Sequence, residues 1–263
     1  MKSILKITLA VLFIVAGTTE THAQWGKKKV NGNGDITTKT VNTSDYNEVK
    51  VVGSMDVFLE SGTEGSIKVT TDANIHEYLK IESSGGTLTI RIEKGVSIRT
   101  KKGIHIVVPF QDISEVSLTG SGDLVTRDTI KTANFSAQLT GSGDVELSVE
   151  ANSVEAKLVG SGDVILKIDA TRVEADLTGS GDFDLSGSTK EFDVGVHGSG
   201  DLEGASLRSD DTTVYVSGSG SATINASNNL KARVSGSGSI RYSGSPQSSD
   251  KKVSGSGSIR SID

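Results

Sequence analysis

One tripeptide constrains this chain more than any other feature. Gly-Ser-Gly begins at positions 120, 141, 160, 179, 198, 218, 236 and 255, at spacings of 21, 19, 19, 19, 20, 18 and 19. The first five copies continue with Asp123, Asp144, Asp163, Asp182 and Asp201, and the last three with Ser221, Ser239 and Ser258. A near-constant period of this length marks a stack of repeated units. The flanks alternate strictly: Val154, Ala156, Leu158, then Gly160 and Gly162, then Val164, Leu166 and Ile168. A period of two is the signature of a strand with one buried face. The glycines share the parity of the apolar residues, which a flexible linker has no reason to do. They fall where the inward face has no room for a side chain or where the chain bends.

A 19-residue unit cannot bury its apolar face alone and needs a neighbour on each side. The unit is too short for a helix pair, and a propeller blade needs about 40 residues. The expected fold is therefore all-β: a parallel β-solenoid with ~19-residue coils, two or three short strands per coil, and corners at Gly-Ser-Gly. Composition agrees. Glycine supplies 31 of 263 residues and apolar residues only 34%, as suits a thin rod with a narrow core. The absence of cysteine excludes a disulfide scaffold, a thiolate metal site, a cysteine nucleophile and a lipid-bearing cysteine.

The first residues read as an address. Lys2 and Lys6 precede and flank a short apolar run ending near Ala16, and Thr21-His22-Ala23 has the small residues of a cleavage site, with the cut after Ala23. The run is too short for a spanning helix, which needs ~20 residues. Export to the periplasm, cell surface or medium is expected. Removal of residues 1–23 takes the net charge from −6 to −7, a balance that argues against nucleic acid. Residues 24–44 are expected as a loosely ordered leader. Residues 45–112 continue the theme irregularly, with Gly53-Ser54-Met55-Asp56 as a degenerate copy, a hairpin turn at Ser83-Ser84-Gly85-Gly86 and a short helical turn within 72–79. Residues 113–263 form the regular coils, and nothing between 45 and 263 reads as a linker.

Val49-Lys50-Val51-Val52-Gly53, the run from Leu79-Lys80-Ile81 through Gly86-Thr87-Leu88-Thr89-Ile90, and the Gly-Ser-Gly-Asp series together resemble the auto-transporter adhesin "head GIN" domain family. This is a domain of unknown function in secreted Bacteroidetes proteins. The resemblance spans about residues 45–260. It implies a right-handed single-stranded β-helix and an extracytoplasmic location, and it brings no catalytic residues. The last three copies depart from the family pattern in carrying Ser in place of Asp.

The outward corner residues should form ladders that suit contact with a glycan or a surface protein: Ser121, Ser142, Ser161, Ser180 and Ser199 in one line, Asp123, Asp144, Asp163, Asp182 and Asp201 beside it. Stacked carboxylates repel by about 0.9 kcal/mol per pair at strand spacing in bulk water. Calcium, which takes six to eight oxygens, would relieve this; alternatively each Asp accepts a hydrogen bond from its own turn. No cofactor is required by the second reading. A serine nucleophile lacks a base. His197 and Ser199 share a face, but strand rise separates them by ~6.6 Å. A polysaccharide-degrading enzyme needs two carboxylates across a sugar, and no pair stands out. The expected protein is a non-enzymatic binding module, with an envelope-structural role as the alternative. At the last coil Lys251, Lys252, Arg260 and Asp263 either guard an open edge or dock, giving a monomer or an end-to-end dimer.

Overall fold

In the computed structural model residues 27–262 are described; the signal segment and its cut at Ala23 lie outside them. Nine strands precede the regular coils: β1 (Lys28–Asn31), β2 (Ile36–Asn42), β3 (Glu48–Gly53), β4 (Asp56–Ser61), β5 (Ser66–Asp72), β6 (Leu79–Ser84), β7 (Thr87–Ile92), β8 (Val96–Arg99) and β9 (His105–Phe110). Strands β3 and β4 form a coil, and the degenerate Gly53 pairs with Gly120 of the first regular copy. Beneath them β7 pairs parallel with β3 and β9 with β4, so a later stretch of chain is tucked under an earlier one. The parallel stack then gives way to antiparallel edges, β6 on β7 and β5 on β9, with β2 on β5.

The expected turns are present: β6 and β7 form the hairpin around Gly85-Gly86, and His76–Tyr78 form a short 3-10 turn. The leader is a correction. Residues 28–31 and 36–42 are strands, paired with β8 and β5 respectively. Their partners lie far along the chain, and β2 buries no residue. Alternation, the signal that marks the other strands, is therefore missing from it. The loop between them is closed by Asp72, whose Oδ1 accepts the Gly34 amide at 2.5 Å.

Thirteen strands follow: β10 (Glu115–Gly120), β11 (Asp123–Thr126), β12 (Ile130–Gly141), β13 (Asp144–Gly160), β14 (Asp163–Gly179), β15 (Asp182–Gly198), β16 (Asp201–Gly204), β17 (Leu207–Gly218), β18 (Ser221–Asn225), β19 (Asn229–Gly236), β20 (Ser239–Ser243), β21 (Ser248–Gly255) and β22 (Ser258–Ser261). All pair in parallel with the equivalent stretch of the adjacent coil. They form a β-solenoid of about 8 turns at ~19-residue spacing. The pairing marks two corners in each coil. One corner is Gly-Ser-Gly; the other lies near Asn152, Thr171 and Lys190, which pairing skips.

Register shows which corner governs. Between the first two coils the offset is 21 at Asp123↔Asp144 but 19 at Ile130↔Val149. Later it is 19 at Asp184↔Glu203 and 20 at Gly187↔Leu207. It is 20 at Gly204↔Ile224 and 18 at Asp211↔Asn229. Every change in coil length therefore falls between one Gly-Ser-Gly corner and the next, at or before the second corner, and the Gly-Ser-Gly corner keeps register. The reason is steric. A Cβ on Gly160, where φ is +140°, would lie 2.0 Å from the Gly141 oxygen, and one on Gly162 would lie 1.9 Å from the Gly143 oxygen.

The core is a column of inward residues. Val154, Ala156, Leu158, Val164, Leu166 and Ile168 are all buried, as are Phe135, Phe183 and Phe192. Full burial of each large aliphatic side chain contributes about 1.5–3 kcal/mol. At the inward positions of the last strands apolar residues give way to Lys251, paired with Ala232, and Ser261, paired with Tyr242. The Lys251 ammonium donates to the Tyr242 hydroxyl at 2.9 Å and lies 5.0 Å from its ring centre.

Candidate functional site

The corner ladders form as the alternation predicts. Ser121, Ser142, Ser161, Ser180 and Ser199 are exposed, as are Asp123, Asp144, Asp163, Asp182 and Asp201. Each Ser amide donates to the first corner glycine of the preceding coil, as from Ser161 to Gly141 O at 2.9 Å and from Ser180 to Gly160 O at 2.9 Å. These backbone bonds hold the corner, leaving the Ser hydroxyls outward.

The carboxylates have partners of a different kind from those expected. Asp144 Oδ1 accepts the Asp163 amide at 3.1 Å, Asp163 Oδ1 the Asp182 amide at 3.2 Å, and Asp182 Oδ1 the Asp201 amide at 2.9 Å. The acceptor therefore serves the next coil rather than its own turn. The series ends with Asp201 Oδ1 accepting the Ser221 amide at 2.8 Å. An ionised acceptor strengthens such a bond, which offsets repulsion along the ladder. Asp123, lowest in the series, differs. Partial burial pushes its carboxyl above the ordinary Asp range, and the charges of Asp56 and Asp144 add to the rise. Among the described residues no group of three or more His, Asp or Glu side chains is placed to hold a metal ion.

His76, His105 and His197 lie on separate elements. His105 sits against Asp56, 3.3 Å from its carboxylate, and His197 stacks near Tyr215 on another face. A cleft of about 550 Å³ that sequence reasoning missed opens between β2 and β6. Val41, Val69, Leu79 and Ile81 supply its apolar wall, with Lys39 and His76 at its side. Burial lowers the His76 pKa against the opposing pull of the Thr37 carbonyl, and Lys39 lowers it further. No sequence signal marks this cleft, because its two walls are free edges of strands that meet only in the folded chain.

Parallel coils presenting repeated polar corners define a β-solenoid with ladder surfaces. No helix among the described residues is long and apolar enough to cross a membrane. The chain belongs to the family described as "Putative auto-transporter adhesin, head GIN domain", which matches residues 45–167 and 154–246. It is similar to a solved structure from Parabacteroides distasonis described as a putative lipid binding protein, at 30% identity and a TM-score of 0.84 over 90% of this chain and 100% of that one. A putative adhesin from the same organism aligns at 27% identity and TM-score 0.84, over 89% and 100% of the two chains. One from Parabacteroides merdae aligns at 25% and 0.84, over 90% and 100%. No curated protein matches the chain in sequence.

Proposed function

We propose that the protein is an exported, adhesin-like module that binds a glycan or protein partner on the outer surface of the rod without transforming it. The observation that carries this reading is the register of the corner. Ten exposed Ser and Asp side chains, in equivalent positions on successive coils, offer identical contacts at strand spacing, about 4.8 Å apart. Weak identical contacts add through avidity. The reading requires no cofactor: a backbone amide donates to one carboxylate oxygen of Asp144, Asp163 and Asp182, which offsets part of the repulsion along the ladder. The test is a glycan and surface-protein array probed with the chain lacking residues 1–23, with calcium and with chelator. Retention without product release, equal in both arms, supports the reading. Release of sugar fragments overturns it in favour of an enzyme, and retention only with calcium assigns the ladder to metal.

A second reading rests on the cleft between β2 and β6. Its apolar wall of Val41, Leu79 and Ile81 would accommodate an acyl chain, and the Parabacteroides distasonis relative is described as lipid binding. A fluorescent fatty acid that binds the wild type and not Leu79→Glu would favour it; no binding to the wild type removes it.

A further inference from the structure

One outward position breaks the pattern of the rod's face. Gly195 sits mid-strand in β15, between Asp176 of β14 and Tyr215 of β17. The corner glycines are demanded by neighbouring backbone, but Gly195 is not. Its φ is not positive, and a Cβ there would meet only side-chain atoms, Asp176 Oδ1 at 2.8 Å and His197 Nε2 at 3.2 Å. A strand-interior glycine weakens the strand and marks a place where another group approaches the sheet closely; here the approaching groups are the side chains of Asp176 and His197, which converge over the glycine.

Tyr215 stands beside these two side chains, 39% exposed, with its ring centre 5.6 Å from that of His197. The other three tyrosines use their hydroxyls internally. Tyr46 donates to the Pro109 carbonyl, Tyr78 accepts from Lys28 at 3.0 Å, and Tyr242 accepts from Lys251 at 2.9 Å. The Tyr215 hydroxyl has no hydrogen-bond partner among the described residues. Among the described residues no cation lies over its ring. On the other face, Phe58 lies under the Arg127 guanidinium, 5.1 Å from its ring centre. Arg233, the β19 neighbour of Tyr215, is instead drawn to Asp250, donating to its carbonyl at 2.8 Å and to its carboxylate.

We propose that Tyr215, His197 and Asp176, gathered over Gly195, form a subsite for a neutral saccharide, with Asp176 as a hydroxyl acceptor. The proposal rests on the glycan arm of the function proposed above. A pyranose presents an apolar C–H face and a rim of hydroxyls. The complementary surface is an open aromatic ring with hydrogen-bonding groups beside it. The charged residues that flank Gly195 and Tyr215 in this outward column are Asp176 and Arg233, and Arg233 is held by Asp250, which leaves the Asp176 carboxylate to disfavour an acidic glycan.

The experiment measures binding of neutral and acidic oligosaccharides to the chain lacking residues 1–23, for wild type, Tyr215→Ala, Tyr215→Phe, Gly195→Ser and Ile165→Ser. Circular dichroism checks the fold of each. Expected is neutral-glycan binding weakened about tenfold by Tyr215→Ala and also weakened by Gly195→Ser, whose Cβ would displace Asp176 and His197. Tyr215→Phe should retain most affinity, and Ile165→Ser, on the opposite face, all of it. Wild-type binding untouched by Tyr215→Ala and Gly195→Ser overturns the subsite alone. Preference for acidic glycans also overturns it. Failure of the wild type to bind any glycan overturns both the subsite and the glycan arm of the proposed function.

Discussion

The coils that carry Asp after Gly-Ser-Gly and those that carry Ser share one corner but present different surfaces. In the Asp coils Asp144, Asp163 and Asp182 each accept the amide of the next Asp, while the Asp144 amide itself donates to Gly122 O at 3.3 Å. In the Ser coils that amide turns to a backbone oxygen, from Ser239 to Gly220 O and from Ser258 to Gly238 O, both at 3.2 Å. Ser239 Oγ also reaches Ser221 Oγ at 3.2 Å. The backbone register is unchanged across the switch. The corner is therefore a property of glycine, and the residue after it sets charge. Acidic residues dominate up to Asp211, whereas from Thr212 onward basic residues outnumber acidic ones 6 to 2. The rod has an acidic middle followed by a basic stretch.

The largest effect should be common to both kinds of coil. Gly162→Ala places a Cβ 1.9 Å from Gly143 O, and Gly238→Ala one 2.3 Å from Gly220 O. Each should cost about 3 kcal/mol or more, since the crowding atoms are backbone that cannot rotate away. Thermal unfolding of the two variants should give similar losses. A mild Gly238→Ala would show that the Ser coils tolerate a looser corner.

Next in size is the acceptor. Asp163→Ala removes the partner of the Asp182 amide and should cost about 1 kcal/mol. Asp163→Asn retains a carbonyl acceptor and should recover much of this. Ser239→Ala, in a coil whose amide already uses a backbone oxygen, should stay within about 0.5 kcal/mol. Denaturant midpoints at constant slope distinguish the three. Equal losses at Asp163→Ala and Ser239→Ala would erase the contrast.

Extending the ladder should cost less still. Ser221→Asp adds a carboxylate one coil above Asp201, and the repulsion at strand spacing is somewhat under 1 kcal/mol in water. The deficit should shrink as salt is raised, because exposed charges are screened. A salt-independent deficit would point to packing instead.

The smallest effect concerns Asp123, whose pKa is raised by burial and by its two acidic neighbours. Its folded form holds the proton more tightly than the unfolded chain does. The ionised group thus opposes folding, an effect absent below the ordinary Asp range and complete above the raised value. Asp123→Asn should raise the melting temperature at pH 7 relative to wild type and leave it unchanged well below pH 4. A variant less stable at pH 7 would mean that favourable contacts of the ionised carboxylate outweigh the repulsion.

Much of this was legible in the linear pattern. Val154 to Ile168 alternate with Gly160 and Gly162 in phase, and that parity identified inward residues before any coordinate did. Strands β1 and β2 were not legible, because β2 buries none of its residues and both strands pair with distant partners. The exposure of the Ser and Asp ladders followed from parity, but the Asp hydrogen-bond partners did not. An amide 19 residues onward is a neighbour only once the coils are stacked.

The sequence alone determined the repeat, the buried face and the all-β class, since side-chain alternation and glycine placement are local and written in order along the chain. Only the tertiary structure decided which residues become neighbours across coils. Asp176, Gly195 and Tyr215 stand side by side through offsets of 19 and 20 residues. The one-residue difference arises between Asp184 and Gly187, where the next coil carries one more residue, and no local rule governs that length. The rod was therefore readable from periodicity, whereas its surface depends on register, which packing sets coil by coil.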